Sequence, residues 1–334
     1  MSISIASISE ITNIMSYINS EWKEGHILAR DKDFFKYEHG NKNQINFVIS
    51  KNSENVIDGV LGFIPCALNE LSDVCTVIWK VSNNSKNPAL GIELLQYLKK
   101  IKNIRTVFSV GINKKTISIY QYLGFFTKSL KHYVLINENI KEFKIGKVPF
   151  PKPSFNISAS CSETFFVRYI RKETELSNFN FDNFKKNIPF KNKQYFIKRY
   201  FKHPIHNYDF IGVYDSNCLI GVFVIRIQAY NGSKVLRIID FIGETNSLKS
   251  FGRFIFKIVH KEGYEYADFY CYGLENKILN DAGFFLVNSI DDLIIPNYFS
   301  PYLQKNINLN FFVDTENLNS IKLFKGDGDQ DRPS

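Results

Sequence analysis

The sequence has few cysteines, and their spacing is not that of a disulfide framework or a zinc site. The thiols lie far apart, form no C-x-x-C pair and are odd in number. They are Cys66, Cys75, Cys161, Cys218 and Cys271. We therefore expect free, buried thiols in a reducing cytoplasm.

Long apolar runs are also missing. No run approaches the roughly 20 residues that a membrane-spanning helix needs. Residues 1–22 carry no basic leader and include Glu10 and several asparagines, which is not the pattern of a secretory signal. We expect a cytoplasmic protein without a membrane span.

A glycine-rich phosphate loop is a third absence, since the sequence has no Walker loop and no dinucleotide-binding string. The net charge is +9, and the excess is spread out, with 19 Lys and Arg against 13 Asp and Glu in residues 1–150 and 23 against 20 in the rest. A diffuse positive field suits anionic small molecules, such as nucleotide-linked compounds, as well as nucleic acid. Because the chain has no fold motif of a nucleic-acid binder, we do not expect a nucleic-acid partner.

The chain of 334 residues is long enough for two domains. Pro149, Pro151 and Pro153 alternate near its middle, which excludes a helix and favours an extended connector. We predict a first domain at residues 1–140, a proline-rich linker at 141–160, a second domain at 161–320 and an acidic tail at 321–334.

Both halves show the same order of helix and strand patterns, with little identity between them. The first half has helices near 8–20 and 31–38, strands with the sequences INFVISK, VLGFIP, VCTVIWKV and RTVFSVGI, and a closing strand KHYVLIN. The second half repeats the plan and ends on a strand near DDLIIP. The pattern predicts an α/β (α+β) chain of two tandem domains, each a mixed, mostly antiparallel twisted sheet flanked by helices.

Residues 77–101 are typical of a strand, a polar turn and a helix that opens near a glycine. The turn contains the run Lys86-Asn87-Pro88-Ala89-Leu90-Gly91. A helix start offers unpaired N–H groups and a positive dipole end, and small residues there let the backbone approach a pyrophosphate. These residues alone equally allow a simple packing role for Gly91.

A second motif follows after one strand. Asn113 comes just after that strand, and the run Tyr120-Gln121-Tyr122-Leu123-Gly124-Phe125 closes a short helix. A phenol, with a pKa of about 10, is able to act as a general acid. An aromatic residue that only packs on the helix is the alternative for Tyr120.

Together the two motifs resemble the acyl-coenzyme A site of the GNAT N-acetyltransferase family, over roughly residues 20–137. The family's Q/R-x-x-G-x-G/A signature is matched with Lys86 in first place and with Ala89 instead of the middle glycine. The resemblance implies acetyl-coenzyme A, or another acyl-coenzyme A, as co-substrate, no metal, and Tyr120 as the acid. It places at the cofactor Val77, Ile78, Trp79, Lys86, Asn87, Ala89, Leu90, Gly91, Asn113 and Tyr120.

The second half matches the family only in outline, because its predicted turn GETNSLKSFGR lacks the phosphate signature. A degenerate second copy need not bind the cofactor. It can instead shape an acceptor pocket at the domain interface.

The resemblance leaves the general base open, because the strand at 74–81 has no glutamate. We take His26 as the first candidate for the base and for acceptor binding, since the family's early helices border the acceptor site. Glu38, His39 and Asp240 are the alternatives. Cys75 has no histidine near it in sequence, which disfavours a covalent scheme.

The C-terminal sequence FKGDGDQDRPS alternates aspartates around glycine. It lacks the twelfth-position glutamate of an EF-hand loop, so we expect no metal. It is typical of a flexible polar tail; alternatively its carboxylates, Asp329 among them, bind a cationic acceptor together with Asp240. The layout resembles tandem acetyltransferase-like proteins of bacterial surface-polysaccharide clusters, which implies a nucleotide-linked amino sugar as acceptor and a role in lipopolysaccharide or capsule biosynthesis.

Two other classes of function stay open. Tandem GNAT-like domains also occur in transferases that use aminoacyl-tRNA, and the basic charge is compatible with tRNA, although the run at 86–91 tells against it. Alternatively both copies are degenerate and form a non-catalytic binding protein, which a blocked pocket would indicate. The sequence leaves the acyl chain and the oligomeric state unknown.

Overall fold

The computed structural model describes residues 2–68, 71–152, 165–328 and 331–333. Two eight-stranded mixed sheets are flanked by helices, which confirms the predicted fold class. Pro153, Cys161 and Asp329 lie outside the described residues. Within those residues no helix is both long and apolar enough to cross a membrane.

The first half of the chain forms one run of elements. They are β1 Ser2–Ser7, α1 Ile11–Tyr17, α2 Ile27–Arg30, α3 Lys32–His39, β2 Gly40–Asn41, β3 Gln44–Lys51, β4 Ile57–Pro65, β5 Ser72–Val81, α4 Leu90–Lys99, β6 Ile104–Val110, α5 Ile117–Tyr122, β7 Phe126–Ser129 and β8 Lys131–Ile136.

The second half follows the same plan. Its elements are β9 Phe165–Ile170, α6 Lys193–Phe196, β10 Asp209–Asp215, β11 Cys218–Tyr230, β12 Ser233–Gly243, α7 Ser247–Lys261, β13 Tyr266–Tyr272, α8 Asn276–Asp281, β14 Phe285–Leu286, β15 Tyr298–Phe299, β16 Tyr302–Leu303, β17 Asn310–Val313 and β18 Leu323–Phe324.

Helix α4 shows why the spacing of apolar residues predicts a helix. Leu90, Leu94 and Leu98 recur at intervals of four, so they share one face, and all three are fully buried against the first sheet. A Cβ on Gly59 of β4 would lie 3.1 Å from both the Leu90 and the Leu94 side chains. The helix therefore packs closely on the sheet beside β5.

The two sheets exchange strands, which the sequence pattern did not predict. Strand β8, predicted to close the first sheet, pairs with β13 and β14 in the second sheet. Strand β17, from the second half, lies between β6 and β7 of the first sheet. Periodicity predicts a strand but not its partner, because the partner depends on where the connections lead.

The predicted strand near DDLIIP is wrong. Residues 291–296 form a loop, and only Ile294 makes an isolated bridge, with Lys147. Asp292 has φ 58°, a left-handed conformation that interrupts an extended strand, and Pro296 lacks the N–H that a sheet ladder requires.

Part of the predicted linker packs against the second sheet. The Glu265 carboxylate accepts hydrogen bonds from the backbone N–H groups of Lys144, Ile145 and Gly146, at 2.7–3.1 Å. Ile145 is fully buried. The domain boundaries at 140 and 161 stay a prediction, but the sheets do not divide at those positions.

The described residues of the predicted tail, 321–328 and 331–333, are here called the C-terminal segment. They are folded, in contrast to the expectation of a flexible polar tail. Lys325, Asp327 and Asp331 are buried. A Cβ on Gly328 would lie 2.3 Å from the backbone oxygen of Val110 at the end of β6. Asp327 and Asp331, two of the carboxylates that suggested a solvated tail, pair with Lys191 and Arg226, which lie far away in sequence.

Candidate active site

Strands β5 and β6 create an opening in the first sheet. They run parallel and pair over Ser72–Cys75 of β5, and beyond that point they separate. The Ser109 hydroxyl still donates to the Thr76 carbonyl oxygen at 2.8 Å, where the separation begins. Residues 76–81 of β5 then pair with β4, and their other edge borders the opening. Such an edge is able to pair with an extended ligand chain.

A β-bulge interrupts β5 beside this opening. Leu61 of β4 lies opposite Trp79, whereas Phe63 lies opposite Thr76. Strand β5 therefore has one extra residue, and the insertion is at Val77 and Ile78. A bulge turns a backbone N–H out of the regular ladder, which is the geometry required to polarise a carbonyl oxygen.

The N-terminus of α4 lies at the far end of β5. Lys86 and Ala89 are exposed, and the Asn87 carboxamide oxygen accepts from the Ala89 N–H at 2.9 Å. The Leu90 side chain is fully buried, so that a ligand here has access only to its backbone. A lysine on an exposed turn before a helix start offers positive charge to phosphates.

Gly91 also has a packing role. The Trp79 indole Nε1 donates to the Gly91 carbonyl oxygen at 3.1 Å, and a Cβ on Gly91 would lie 3.4 Å from that nitrogen. Trp79 therefore contacts the first turn of α4. The packing role and the predicted phosphate role of Gly91 are compatible with each other.

Asn113 and Tyr120 lie on the same side of β6. The Asn113 side chain caps a short turn by accepting from the Lys115 N–H at 2.9 Å. Tyr120 on α5 is 4% exposed and stacks on Phe312 of β17 with a ring distance of 4.1 Å. Its ring centre is 5.8 Å from that of Trp79.

The Tyr120 hydroxyl remains protonated at neutral pH. Burial raises its pKa well above the ordinary value. Thr116 hydrogen-bonds with this hydroxyl and itself donates to the Asn113 carbonyl oxygen at 2.8 Å. A phenol in this state keeps a proton to give to a thiolate.

A cavity of about 200 Å³ adjoins the bulge of β5. It is lined by Val77 and Ile78 from the bulge, His26, Glu38 and His39 from the early helices, and Arg332 from the C-terminal segment. The fold therefore brings His26, the predicted acceptor ligand, together with the two bulge residues that were predicted at the cofactor.

His26 is poorly arranged to act as a base. Its Nδ1 caps α2 by accepting from the Leu28 N–H at 3.2 Å. Burial, with smaller effects of Lys23 and Arg30, lowers the pKa of His26 to about 4. The ring is therefore neutral at pH 7, with its proton on Nε2. That nitrogen donates a hydrogen bond and does not accept a proton.

His39 has the opposite arrangement. Its ring hydrogen-bonds to the Phe63 backbone, and its buried Nδ1 has no partner among the residues described. Burial lowers its pKa to about 4, against the opposing effect of Glu38. Its ring is therefore neutral at pH 7, and His39 lines the cavity with Nδ1 buried and unpartnered among the residues described. A buried polar atom without a partner is unusual and often marks a site of function.

Glu38 is less suited to take a proton. It pairs with Arg332, and although its burial acts to raise the pKa, the Arg332 and Arg199 guanidiniums hold that pKa at about 2. Its carboxylate is already engaged by the Arg332 guanidinium, whereas Nδ1 of His39 has no partner among the residues described.

Asp240 is not at this cavity, which corrects its assignment to the substrate site. Its carboxylate is fully buried in the second sheet. It accepts from the Lys191 ammonium, from the Tyr200 hydroxyl at 2.7 Å and from the Phe241 N–H at 2.7 Å. With its acceptor positions taken by the protein, it has a structural role. Asp329, the other predicted acceptor ligand, lies outside the described residues.

The opening in the second sheet is filled by the chain itself. Strands β12 and β13 pair in parallel and then separate, as β5 and β6 do. Strand β18 pairs with the end of β13, and Gly326 packs against Ile239 of β12. The C-terminal segment thus occupies the place that corresponds to the opening in the first sheet.

Sequence reasoning missed Arg332 altogether and ranked His39 below His26. Arg332 is the only arginine in the C-terminal segment, which is a weak signal. No local pattern shows which histidine nitrogen is free, because that depends on the backbone groups that contact each ring.

Comparison with known proteins supports the fold. No family model and no curated protein sequence matches the chain. Solved structures do match, each over 93% of this chain. A GCN5-related N-acetyltransferase from Anabaena variabilis is 12% identical, with 72% of its chain covered and a TM-score of 0.58. A conserved protein from Enterococcus faecalis is 10% identical, with 71% of its chain covered and a TM-score of 0.57, and a GCN5-related N-acetyltransferase from Kribbella flavida is 9% identical, with 70% of its chain covered and a TM-score of 0.51.

At identities this low, the structural similarity shows a shared fold, and the activity has to be argued from the site. This similarity agrees with the architecture described above, which has two sheets with separating parallel strands, a bulge in β5 and the exposed start of α4. The chain has the fold of the GCN5-related N-acetyltransferases, built as two tandem domains.

Proposed function

We propose that this protein is an acyl-coenzyme A-dependent N-acyltransferase that transfers an acetyl group to the amine of a nucleotide-linked amino sugar during bacterial surface-polysaccharide synthesis. The observation that supports it best is the cavity at the β5 bulge. There a free His39 Nδ1 lies beside a strand edge that leads to the N-terminus of α4.

The first domain supplies the places for the acyl donor. Lys86 and the backbone at the start of α4 bind the pyrophosphate, and the edge of β5 from Val77 to Trp79 pairs with the pantetheine arm. The backbone N–H at the bulge polarises the thioester carbonyl. Described residues contain no group of side chains able to hold a metal ion, and none of these steps calls for one.

The chemistry is a single acyl transfer. The amine nitrogen attacks the thioester carbon, a C–N bond forms and the C–S bond breaks. His39 Nδ1 takes the proton that the amine loses, and Tyr120 gives its proton to the thiolate. A neutral base and a neutral acid are the forms that the two pKa directions favour at pH 7.

The open cavity favours an enzyme over a non-catalytic binding protein. The groove of the second sheet is filled by the C-terminal segment, whereas about 200 Å³ stays open at the first. The acceptor is proposed on the overall layout alone, and its amine is expected to enter this cavity.

The decisive experiment is calorimetric titration of the protein with acetyl-coenzyme A, with free coenzyme A for comparison. We expect micromolar binding that Lys86→Glu weakens roughly 10-fold, because an attractive charge becomes repulsive at the phosphates. Gly91→Trp should abolish binding, since an indole there blocks the approach to the backbone.

Lys102→Glu, at another exposed lysine of the first domain, is the charge-matched control and should bind normally. Thermal unfolding of Gly91→Trp checks that Trp79 still packs on α4. No binding at millimolar acetyl-coenzyme A by the wild-type protein would refute the proposal.

A further inference from the structure

A second cavity, of about 500 Å³, lies on the other side of the C-terminal segment. Arg332 and Pro333 line both cavities, so the two are neighbours. The second cavity is also lined by Arg226, Arg237 and Lys325. Four cationic side chains around one cavity are a strong concentration of positive charge.

Three of these cations have carboxylate partners, and that of Arg332 is Glu38. Arg237 donates to Asp268 at 2.9 and 2.6 Å, and both side chains are buried. Arg226 donates to Asp331 at 3.0 Å. His206, which also lines the cavity, is neutral at pH 7 because burial lowers its pKa to about 4. The hydrogen-bond partners of Lys325 and Arg332 differ from these.

Lys325 has no salt-bridge partner within the described parts of the chain, although Asp268 and Asp331 lie near enough to affect its charge. It is 2% exposed, and its ammonium donates to the Asn297 carboxamide oxygen, a neutral partner. Burial, followed by the charge of Arg237, holds the pKa of Lys325 well below its ordinary value, against the effects of Asp268 and Asp331. An isolated buried cation is costly, and an anion beside it would remove that cost.

Arg332 has N–H donors that make no hydrogen bond with the described residues. Its side chain is 8% exposed, and its Nη1 pairs with Glu38. Its buried Nε and Nη2 have no hydrogen-bond partner among the residues described. A buried donor without an acceptor costs about 1–3 kcal/mol. The two nitrogens form the planar fork that fits a carboxylate or a phosphate.

We propose that the cavity lined by Lys325, Arg332 and Arg226 binds an anionic group, a phosphate or a carboxylate, carried by the acceptor. The anion site follows from the buried charges alone. Its connection to an acceptor rests on the proposed function, because Arg332 also borders the cavity of His39. An acceptor held by its anion in one cavity then presents its amine in the other.

The anion site is tested with inorganic sulfate, a tetrahedral dianion that does not titrate near neutral pH. The protein is first saturated with coenzyme A, so that the start of α4 is occupied. Calorimetry at pH 8 should show saturable sulfate binding, because Lys325 and Arg332 offer N–H donors to the anion. This measurement needs no variant.

Lys325→Met should raise the sulfate Kd at least 10-fold. Lys322→Met is the matched control, since Lys322 lies on the same segment and donates to the Gly273 carbonyl oxygen outside the cavity. Thermal unfolding shows whether each variant is folded. The absence of sulfate binding, or binding that Lys325→Met leaves unchanged, would overturn the site.

The acceptor part is tested with glucosamine and glucosamine 1-phosphate, which differ by one phosphate. With acetyl-coenzyme A, the phosphorylated sugar should have a kcat/KM at least 10-fold higher, and Lys325→Met should remove this preference. Equal kcat/KM values would overturn the link to the acceptor. If acetyl-coenzyme A does not bind, the proposed function fails; the sulfate titration is then made without coenzyme A, and its dependence on Lys325 still decides the anion site.

Discussion

His26 and His39 line the same cavity, yet their ring nitrogens have different chemical capacities. In His26 the unprotonated nitrogen accepts from a backbone N–H, whereas in His39 it has no partner within the described ranges. Burial lowers both pKa values to about 4, so both rings are neutral at pH 7. The hydrogen bond that the His26 ring already makes gives it a capping role, and the unpartnered nitrogen of His39 is the reason for proposing His39 as the base.

Replacement of His39 tests this distinction. His39→Gln should lower kcat roughly 10²-fold, the usual contribution of a general base, and leave the acetyl-coenzyme A Kd unchanged. His26→Asn keeps an oxygen that caps α2 and should lower kcat much less. Steady-state kinetics with calorimetry measure both effects. A larger kcat loss in His26→Asn would assign the base to His26.

Tyr120 allows a second test at a single atom. Tyr120→Phe keeps the ring that stacks on Phe312 and removes the proton donor. The kcat should fall by about 10- to 100-fold, whereas the Kd of acetyl-coenzyme A should change little. Tyr122→Phe, on the same helix and 88% exposed, is the control. An unaltered kcat in Tyr120→Phe would leave Tyr120 with a packing role only.

Among the elements, the C-terminal segment differs most from its sequence pattern. It was expected to be flexible, because it is polar and rich in glycine and aspartate. Instead Asp327 pairs with the buried Lys191 at 3.0 Å, and Asp331 accepts from the Tyr208 hydroxyl at 2.7 Å. Each carboxylate has a buried partner, so the segment is held across both sheets and positions Arg332.

Gly328→Ala should loosen this segment. The new Cβ would lie 2.3 Å from the Val110 carbonyl oxygen, and two backbones cannot relieve that contact without moving apart. We expect a loss of about 1–3 kcal/mol in the free energy of unfolding, measured in urea, together with weaker sulfate binding. Gly91→Ala, whose Cβ would be 3.4 Å from its nearest neighbour, is the control for stability. Equal stability of the two variants would contradict the close approach.

At the scale of the whole molecule, the exchanged strands join the two sheets. The first sheet needs β17 from the second half, and the second sheet needs β8 from the first. The buried core is shared as well, with Phe108 and Phe311 of the first sheet in one cluster with Val224 and Tyr270 of the second. Neither sheet is complete without the other half of the chain.

Unfolding should therefore be one cooperative transition. Both tryptophans, Trp22 and Trp79, lie in the first half, so their fluorescence reports on that half, whereas far-ultraviolet circular dichroism reports on both. The two urea transitions should coincide. Separate midpoints would show that the halves unfold independently despite the exchange.

Much of the local structure followed from the sequence by itself. Strand β5, helix α4 and the turn between them were predicted from side-chain spacing, which depends only on the geometry of each element. The resemblance of residues 86–91 and 113–125 to an acyltransferase site pointed to the fold that the structure has. His26 lines the cavity at the bulge, and its predicted roles as base and acceptor ligand stay predictions.

Only the tertiary structure decided which residues meet. The exchange of β8 and β17, the folded C-terminal segment, the free Nδ1 of His39 and the donors of Arg332 all depend on contacts between residues far apart in sequence. A hydrogen-bond partner, a buried charge and a strand neighbour are properties of a packed arrangement, and spacing along one segment carries no record of them.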